Sequence, residues 1–395
     1  MIGSSAVVVV GGGYAGVMAA NRLARRDGVR VTLINPRGQF VERIRLHQLA
    51  GGSDDAVVDY KDVLAEGVRR VVDSVTRIDA GERTVTLATG GTIGYDYLIY
   101  AVGSGSAEPA VPGVAEFTYP MGDLEQAERL RAVLTAAPAD TPVTVVGAGS
   151  TGIETAAELA EAGHLVTLVC GEVLGPYLHP RGRRSVAERL AQLGVTVLEG
   201  PEAMVTAVTR DVVHLSGGHT LRNSLTIWAA GFGVPDLAAR SGLSTDALGR
   251  LYTDDTLTSL DDAHIVAAGD AAAPSGQPFR MSCQAAVQLG PQAAETVLSR
   301  LAGEQPKPVD VSFVGQCISL GRRTAISQFA GKDDTPNRYY LAGYAGAKLK
   351  ELVCKSTIWQ LAHEARRPGV LSTALSVRKA PRAGIPVPNR GSRGR

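Results

Sequence analysis

The residues of this chain whose types and spacing suit chemistry fall into three groups. Glycines stand in G-x-G-x-x-G register twice: Gly11, Gly13 and Gly16, with Tyr14 and Ala15 between the last two, and then Gly147, Gly149 and Gly152. In such a run the first glycine permits a tight turn and the second lets the backbone approach a pyrophosphate. The third lets a helix pack closely on a strand. The helix that follows offers free N–H groups and the positive end of its dipole to the anion. Carboxylates form the second group: Asp270, directly after Gly269, and Glu154, just beyond the second glycine run. Gln284 and Gln288 form the third, one helical turn apart, so that both amides leave one face.

The elements that must position these residues can be read around them. "AVVVVGGGYAGVMAANRLARRDGVRVTLI" and "VTVVGAGSTGIETAAELAEAGHLVTLV" each give a buried parallel strand, a glycine turn, an Ala-rich helix and a second strand. One such motif is weak, since it also suits a plain turn between strand and helix. Two in full context imply two bound dinucleotides that meet. "YDYLIYAVGS" (95–104) reads as a strand ending in a small-residue turn at Gly103, "LTIWAAGFGVP" (225–235) echoes it, and "AHIVAAGDAAA" sets another strand before Gly269 and Asp270.

Composition bounds the rest. The 395 residues predict two or three domains with a core that needs no staples. Cys170, Cys283, Cys317 and Cys354 lie far apart, with neither C-x-x-C nor zinc spacing, which predicts a reducing compartment and no disulfide framework. The histidines are scattered, so no metal is expected. No secretion signal and no run of roughly 18 apolar residues is present, and the body is expected to be soluble. The net charge of +1 hides an asymmetry: eight basic and no acidic residues follow from Arg366, leaving the first 365 residues at −7. That Pro- and Gly-rich tail reads as a solvated end, with a weak electrostatic grip on anionic lipid or nucleic acid as the other reading. No G-x-S-x-G motif, triad or basic-aromatic interleaving supports hydrolytic chemistry or a nucleic-acid face.

These motifs together resemble the two-dinucleotide-binding-domain flavoproteins of the pyridine nucleotide-disulfide oxidoreductase superfamily. In that family one Rossmann domain holds FAD, is interrupted by a second that holds NAD(P)H, and then resumes. "CQAAVQLGPQAAETVLSRLAG", from Cys283, is similar to the A-Q-x-A-x-Q-x-G pattern of type II NADH dehydrogenases, with Cys283 in place of the first alanine. "VSFVGQCISLGRRTAISQFAG" and "LAGYAGAKLKELVCKSTIW" resemble the last domain shared by that group and the ferroptosis-suppressor branch of the apoptosis-inducing-factor family. The likeness runs from about residue 6 to 362, and disulfide reductases are disfavoured because "NPRGQFVERIRLHQLAGG" has no cysteine beside the flavin.

The resemblance implies a doubly wound α/β fold. Residues 1–112 and 225–303 would form the FAD domain, 113–224 an inserted NAD(P)H domain, 304–365 a C-terminal domain and 366–395 a basic flexible tail. It assigns Gly11, Gly13 and Gly16, with Tyr14 and Ala15, to the FAD pyrophosphate, Val75 to the adenine, Gln48 and Gly103 to the flavin surroundings, and Asp270 to the ribityl chain. Gly147, Gly149 and Gly152 would hold NAD(P)H. Glu154, Gln284 and Gln288 are the expected catalytic residues, with Glu154 either relaying a proton to a reduced quinone or bonding a ribose. His47 is expected close to the flavin as packing.

Two departures from the family pattern matter. Asn35 stands where the FAD ribose is normally met by Asp or Glu, and it would accept through its carbonyl as a weaker contact. At the matching place of the second unit Cys170 is followed by Gly171 and Glu172; the acid repels a 2′-phosphate, so NADH is mildly preferred, although Arg181, Arg183 and Arg184 keep NADPH open. The expected activity passes electrons from NADH through FAD to a quinone-like acceptor. A soluble biosynthetic flavoenzyme and a flavin/NADH redox sensor stay open beside it. So do a homodimer, a cytoplasmic protein with peripheral contact at the inner membrane face through the C-terminal helix and tail, and the acceptor's identity.

Overall fold

The computed structural model describes residues 4–107, 110–138 and 140–367. Its first half is laid on β1 (Ser5–Val10), α1 (Tyr14–Leu23), β2 (Val29–Asn35), the short α2 (Leu46–Ala50), β3 (Arg69–Val72) and β4 (Tyr97–Tyr100). A second set follows: β5 (Tyr119–Pro120), β6 (Val143–Val146), α3 (Ser150–Glu161), β7 (Val166–Gly171), α4 (Pro180–Gln192), β8 (Thr196–Glu199) and β9 (Leu225–Trp228). The chain then returns with β10 (Ile265–Ala267) and α5 (Cys283–Leu301), and closes with β11 (Gly315–Ser319), β12 (Ala325–Ala330), β13 (Pro336–Ala342) and α6 (Gly343–Arg366).

Both glycine-bearing strands sit at the centre of an all-parallel five-stranded sheet, in the orders β10-β4-β1-β2-β3 and β5-β9-β6-β7-β8. Val-rich strands suit that place because their β-branched side chains fill a surface covered on both faces. The echo seen in sequence is structural. β4 lies beside β1, with Val7 opposite Tyr97, and β9 lies beside β6, with Val143 opposite Leu225. β10 completes the first sheet by pairing with β4, although the whole second sheet intervenes in the chain.

Over the first sheet, α1 packs between α5 and α6 and buries all ten of its residues, so it has no solvent face. α3 buries eight of its twelve residues, the unbroken run 152–159, and is open only at its two ends. The last three strands form an antiparallel sheet with β11 at one edge, and α6 lies across that sheet and α1. Most of the basic tail expected from sequence, from residue 368 on, lies outside the described residues.

Candidate active site

The two glycine turns are built alike. A Cβ on Gly11 (φ +106°) would lie 2.2 Å from Ala101 O, and one on Gly16 would lie 1.8 Å from Gly11 O; for Gly147 (φ +140°) and Gly152 the distances are 2.7 Å to Ala229 O and 2.0 Å to Gly147 O. The first and third glycines are therefore fixed by backbone collisions. Gly13 and Gly149 meet nothing within 4 Å, and each is the N-cap of its helix without a side-chain cap. Uncapped first-turn N–H groups facing open space fit a pyrophosphate, so the residues present suit a dinucleotide at each turn.

Asn35 and Asp270 flank the first turn. Asn35 Oδ1 accepts from Gly12 N (3.0 Å) and its Nδ2 donates to Arg37 O (2.9 Å), while Tyr60 OH donates to Gly12 O (2.8 Å). The Asn35 amide thus braces the loop and has one acceptor lone pair left for a ribose hydroxyl. Gly269 (φ +70°) packs against Ala15 and turns Asp270 inward. The Asp270 carboxylate accepts from Ser104 Oγ (2.7 Å) and Ser282 N (3.1 Å), and the Arg43 guanidinium lies 3.8 Å away. Gly103 adopts φ +72° just before Ser104, and Val75 opens a strand of a separate antiparallel meander. Gln48 is buried and accepts from Arg45 Nη1 (3.0 Å). At the second site Glu172 is exposed just past β7, Cys170 is buried, and Arg181 and Arg184 are exposed.

Glu154 lies at the meeting point of three segments distant in sequence. Its Oε1 accepts from Lys350 Nζ of α6 (2.7 Å) and from Ser319 N of β11 (2.9 Å), and its Oε2 faces His47 Nδ1 of α2 at 3.6 Å. All three side chains are buried. Burial opposes the Glu154 charge, but the Lys350 ammonium outweighs it and holds the carboxyl below its ordinary value. Burial likewise opposes the Lys350 charge, and Glu154 outweighs it, so the ammonium persists well into alkali. His47 goes the other way: burial, reinforced by Lys350, Arg322 and Arg45 and only partly offset by Glu154, lowers it to about 4. It is neutral at pH 7, and its buried Nε2 has no partner among the described residues. A buried charged pair beside a neutral imidazole can hold and hand on a proton.

Lys350 was missed in the sequence, and His47 was expected only as packing. The signal for Lys350 was present: it falls in the stripe Gly346, Lys350, Cys354, Thr357, Leu361 and Glu364, which repeats at helical spacing and is the buried face of α6. A lysine in such a stripe needs a buried anion.

Gln284 and Gln288 lie on one face of α5, and both amides are engaged with backbone. Gln288 Nε2 donates to Ser312 O (3.0 Å) and its Oε1 accepts from Ser312 N (3.1 Å). With its amide oriented to satisfy both neighbours, Gln284 donates to Gly315 O (3.0 Å) and accepts from Val314 N (3.0 Å). Near the N-terminus of α5 a cleft of about 490 Å³ is lined by Tyr177, Phe279, Arg280, Phe313 and Lys332.

Residues 5–290 match the family model described as pyridine nucleotide-disulphide oxidoreductase. An NADH dehydrogenase-like protein of Mycobacterium tuberculosis is 32% identical, the match covering 81% of this chain and 86% of that protein. A type II NADH:quinone oxidoreductase of Haemophilus influenzae is 26% identical over 82% of this chain and 87% of its own. Among solved structures, NDH2 from Plasmodium falciparum in complex with NADH superposes with a TM-score of 0.76 at 16% identity, covering 94% of this chain and 98% of that one, a likeness of fold.

Proposed function

The chain belongs to the pyridine nucleotide-disulphide oxidoreductase family, and from that premise we propose that it is an FAD-dependent oxidoreductase that passes electrons from NADH to a quinone-like acceptor. The observation that carries this reading is the pair of uncapped glycine-turn helices in one chain, each set on its own parallel sheet, with a buried carboxylate-ammonium pair joining α3 to α6. FAD supplies the two-electron carrier that side chains lack. The names of the relatives agree in NADH as donor, and that of the Haemophilus influenzae protein gives a quinone as acceptor.

In this reading the protein's own groups bind, orient and protonate. The first turn of α1 holds the FAD pyrophosphate, and Asp270, fixed by Ser104 and Ser282, takes the ribityl hydroxyls. The first turn of α3 holds the NADH pyrophosphate, and Glu172 disfavours a 2′-phosphate. Reduction of a quinone by two electrons takes up two protons. The Lys350 ammonium and Glu154 hold a proton at a buried site for that purpose, and Lys350 Nζ stays charged by virtue of its partner. The residue boundaries drawn from sequence for the FAD, NADH and C-terminal domains belong to the same proposal.

Peripheral membrane contact fits the outer face of α6. Tyr344, Leu352 and Trp359 are 67%, 64% and 55% exposed at helical spacing, and Lys348 and Lys355 lie among them. Aromatic, aliphatic and basic groups on one face suit a lipid headgroup boundary. Among the described residues no helix is long and apolar enough to cross a membrane.

The test is anaerobic stopped-flow absorbance: mixing with NADH, then with a panel of quinones. Fast bleaching of the flavin followed by fast quinone-dependent recovery supports the reading. Bleaching without recovery leaves the donor half and overturns the acceptor. Cosedimentation with anionic vesicles that persists in high salt supports the membrane contact, and free protein in the supernatant removes it.

A further inference from the structure

The two glutamines of α5 belong to a longer device. Gln292, one more turn along, donates through Nε2 to Asp310 O (2.8 Å) and accepts through Oε1 from Asp310 N (2.7 Å). Gln284, Gln288 and Gln292 therefore read residues 314–315, 312 and 310 in turn, each amide engaging one N–H and one C=O as a neighbouring strand would. The match is geometric. Four helical residues advance about 6 Å and two extended residues about 6.6 Å, so amides at i, i+4 and i+8 keep step with alternate peptides of an extended segment. Between the bonded residues, Val311 and Phe313 turn inward and are buried.

This ladder ends where the catalytic pair begins. Gly315 is both its last rung and the first residue of β11. A Cβ there would lie 2.0 Å from Gln328 O, and φ is +144°, so the changeover from α5 to β12 has no slack. β11 then pairs with β12 on one side, while on its other, unpaired edge Cys317 O accepts from Lys350 Nζ (3.2 Å) and Ser319 N donates to Glu154 Oε1 (2.9 Å). Peptide groups of alternate residues face the same edge, so a slip of one residue would present neither group to the pair.

We propose that Gln284, Gln288 and Gln292 are positioning residues: they set the register of residues 310–319 and thereby hold Glu154 and Lys350 in the geometry that delivers a proton to the acceptor. The inference rests on the quinone-reductase reading for the delivery and on the structure alone for the register. Gln292 is the informative site because it lies two helical turns beyond Gln284, away from the buried pair.

The experiment compares wild-type holoprotein with Gln292→Ala. Residue-resolved hydrogen exchange reads the Ser319 amide, bonded to Glu154, against the Leu320 amide, which donates to Thr324 O within the hairpin. Stopped-flow reads flavin bleaching by NADH and its reoxidation by a soluble quinone. The expected result is loss of Ser319 protection with Leu320 protection retained, unchanged bleaching, and kcat for quinone reduction lowered about 10- to 100-fold at unchanged KM. Gln292→Glu, which keeps the acceptor for Asp310 N but loses the donor, should fall between and serves if the alanine variant does not fold. Equal loss of protection at both amides, no change at either, or altered Ser319 exchange with undiminished quinone reduction would each overturn the proposal. Should no quinone be reduced by wild type, the functional reading fails, and the Ser319 arm still decides the register.

Discussion

The two glycine turns share one backbone solution and differ in everything around it. At the first, Tyr60 OH and the Asn35 amide both grip Gly12, and α1 is enclosed by α5 and α6. At the second, Ala148 takes the corresponding place, its carbonyl is met by a backbone N–H from Gly175 (3.0 Å), and Ser150, the first residue of α3, is exposed where Tyr14, the first of α1, is buried. Side-chain bracing and full burial suit a nucleotide that stays. A backbone-only brace at a helix whose first residue is open to solvent suits one that arrives and leaves. The sheet gives the anion site, and the surroundings decide how long it is occupied.

Exchanging the same glycine in each turn would break the comparison most severely. Gly16→Ala forces a Cβ onto Gly11 O inside a closed core and should cost about 3 kcal/mol or more; the expected product is unfolded or flavin-free, read by the flavin absorbance of purified protein. Gly152→Ala makes a similar collision in the second turn and should leave the flavin bound while NADH no longer bleaches it. If the first variant kept its flavin as well as the second, the contrast between resident and exchanging sites would be wrong.

The buried pair comes next. Lys350→Met leaves Glu154 without its ammonium and should cost about 3–5 kcal/mol, measured by urea denaturation. Glu154→Gln strands Lys350 in the same way, and its acceptor reduction should fall by about 10²-fold while bleaching by NADH persists. Loss of both half-reactions together would place the pair on the donor side.

A smaller effect is expected from His47. Above pH 6.5 the imidazole is neutral in the folded and unfolded chains alike. Below it the unfolded chain takes up a proton that the folded chain refuses until about pH 4, so stability falls as pH falls through that window. Between pH 7 and pH 5 this amounts to about 2 kcal/mol. His47→Asn should remove that share of the pH dependence, and equal slopes for variant and wild type would show that the histidine is not held neutral. The smallest change is at the second site: Glu172→Ala is exposed and should leave stability within about 0.5 kcal/mol, while raising kcat/KM for NADPH relative to NADH. Comparable use of both donors by wild type would remove the preference altogether.

The glycine turns, the parallel strands and the Gly-Asp element were legible in sequence because each is a local demand: a left-handed φ, a close approach, a β-branched run. Glu154 was legible as a carboxylate near the second turn. Its partners were not, since Lys350 lies 196 residues away and His47 arrives from the first sheet's side. Only the buried stripe of α6 hinted that a lysine there would need an anion. Asn35 reads in sequence as a weakened ribose contact and in the structure also as a brace for Gly12. Gln284 and Gln288 suggested a ligand-facing surface, while the segment that takes up their amides carries no pattern that announces it. Helix-to-strand pairing of this kind depends on matching two rises, and a linear sequence displays neither.

α1 folds near the start of the chain, yet what encloses it comes from the end. Asn21 donates to Leu361 O, and Arg22 pairs with Glu295 and Glu364. During synthesis the second sheet, drawn from one continuous stretch between β5 and β9, can close while the ribosome is still at work. The first cannot close until its edge strand β10 and its covering helices α5 and α6, all later in the chain than that stretch, have followed. Between those two points the nascent protein would own a completed nucleotide fold and an unfinished one, and a messenger truncated shortly before Leu361 would yield a chain able to recognise the donor without ever retaining the flavin.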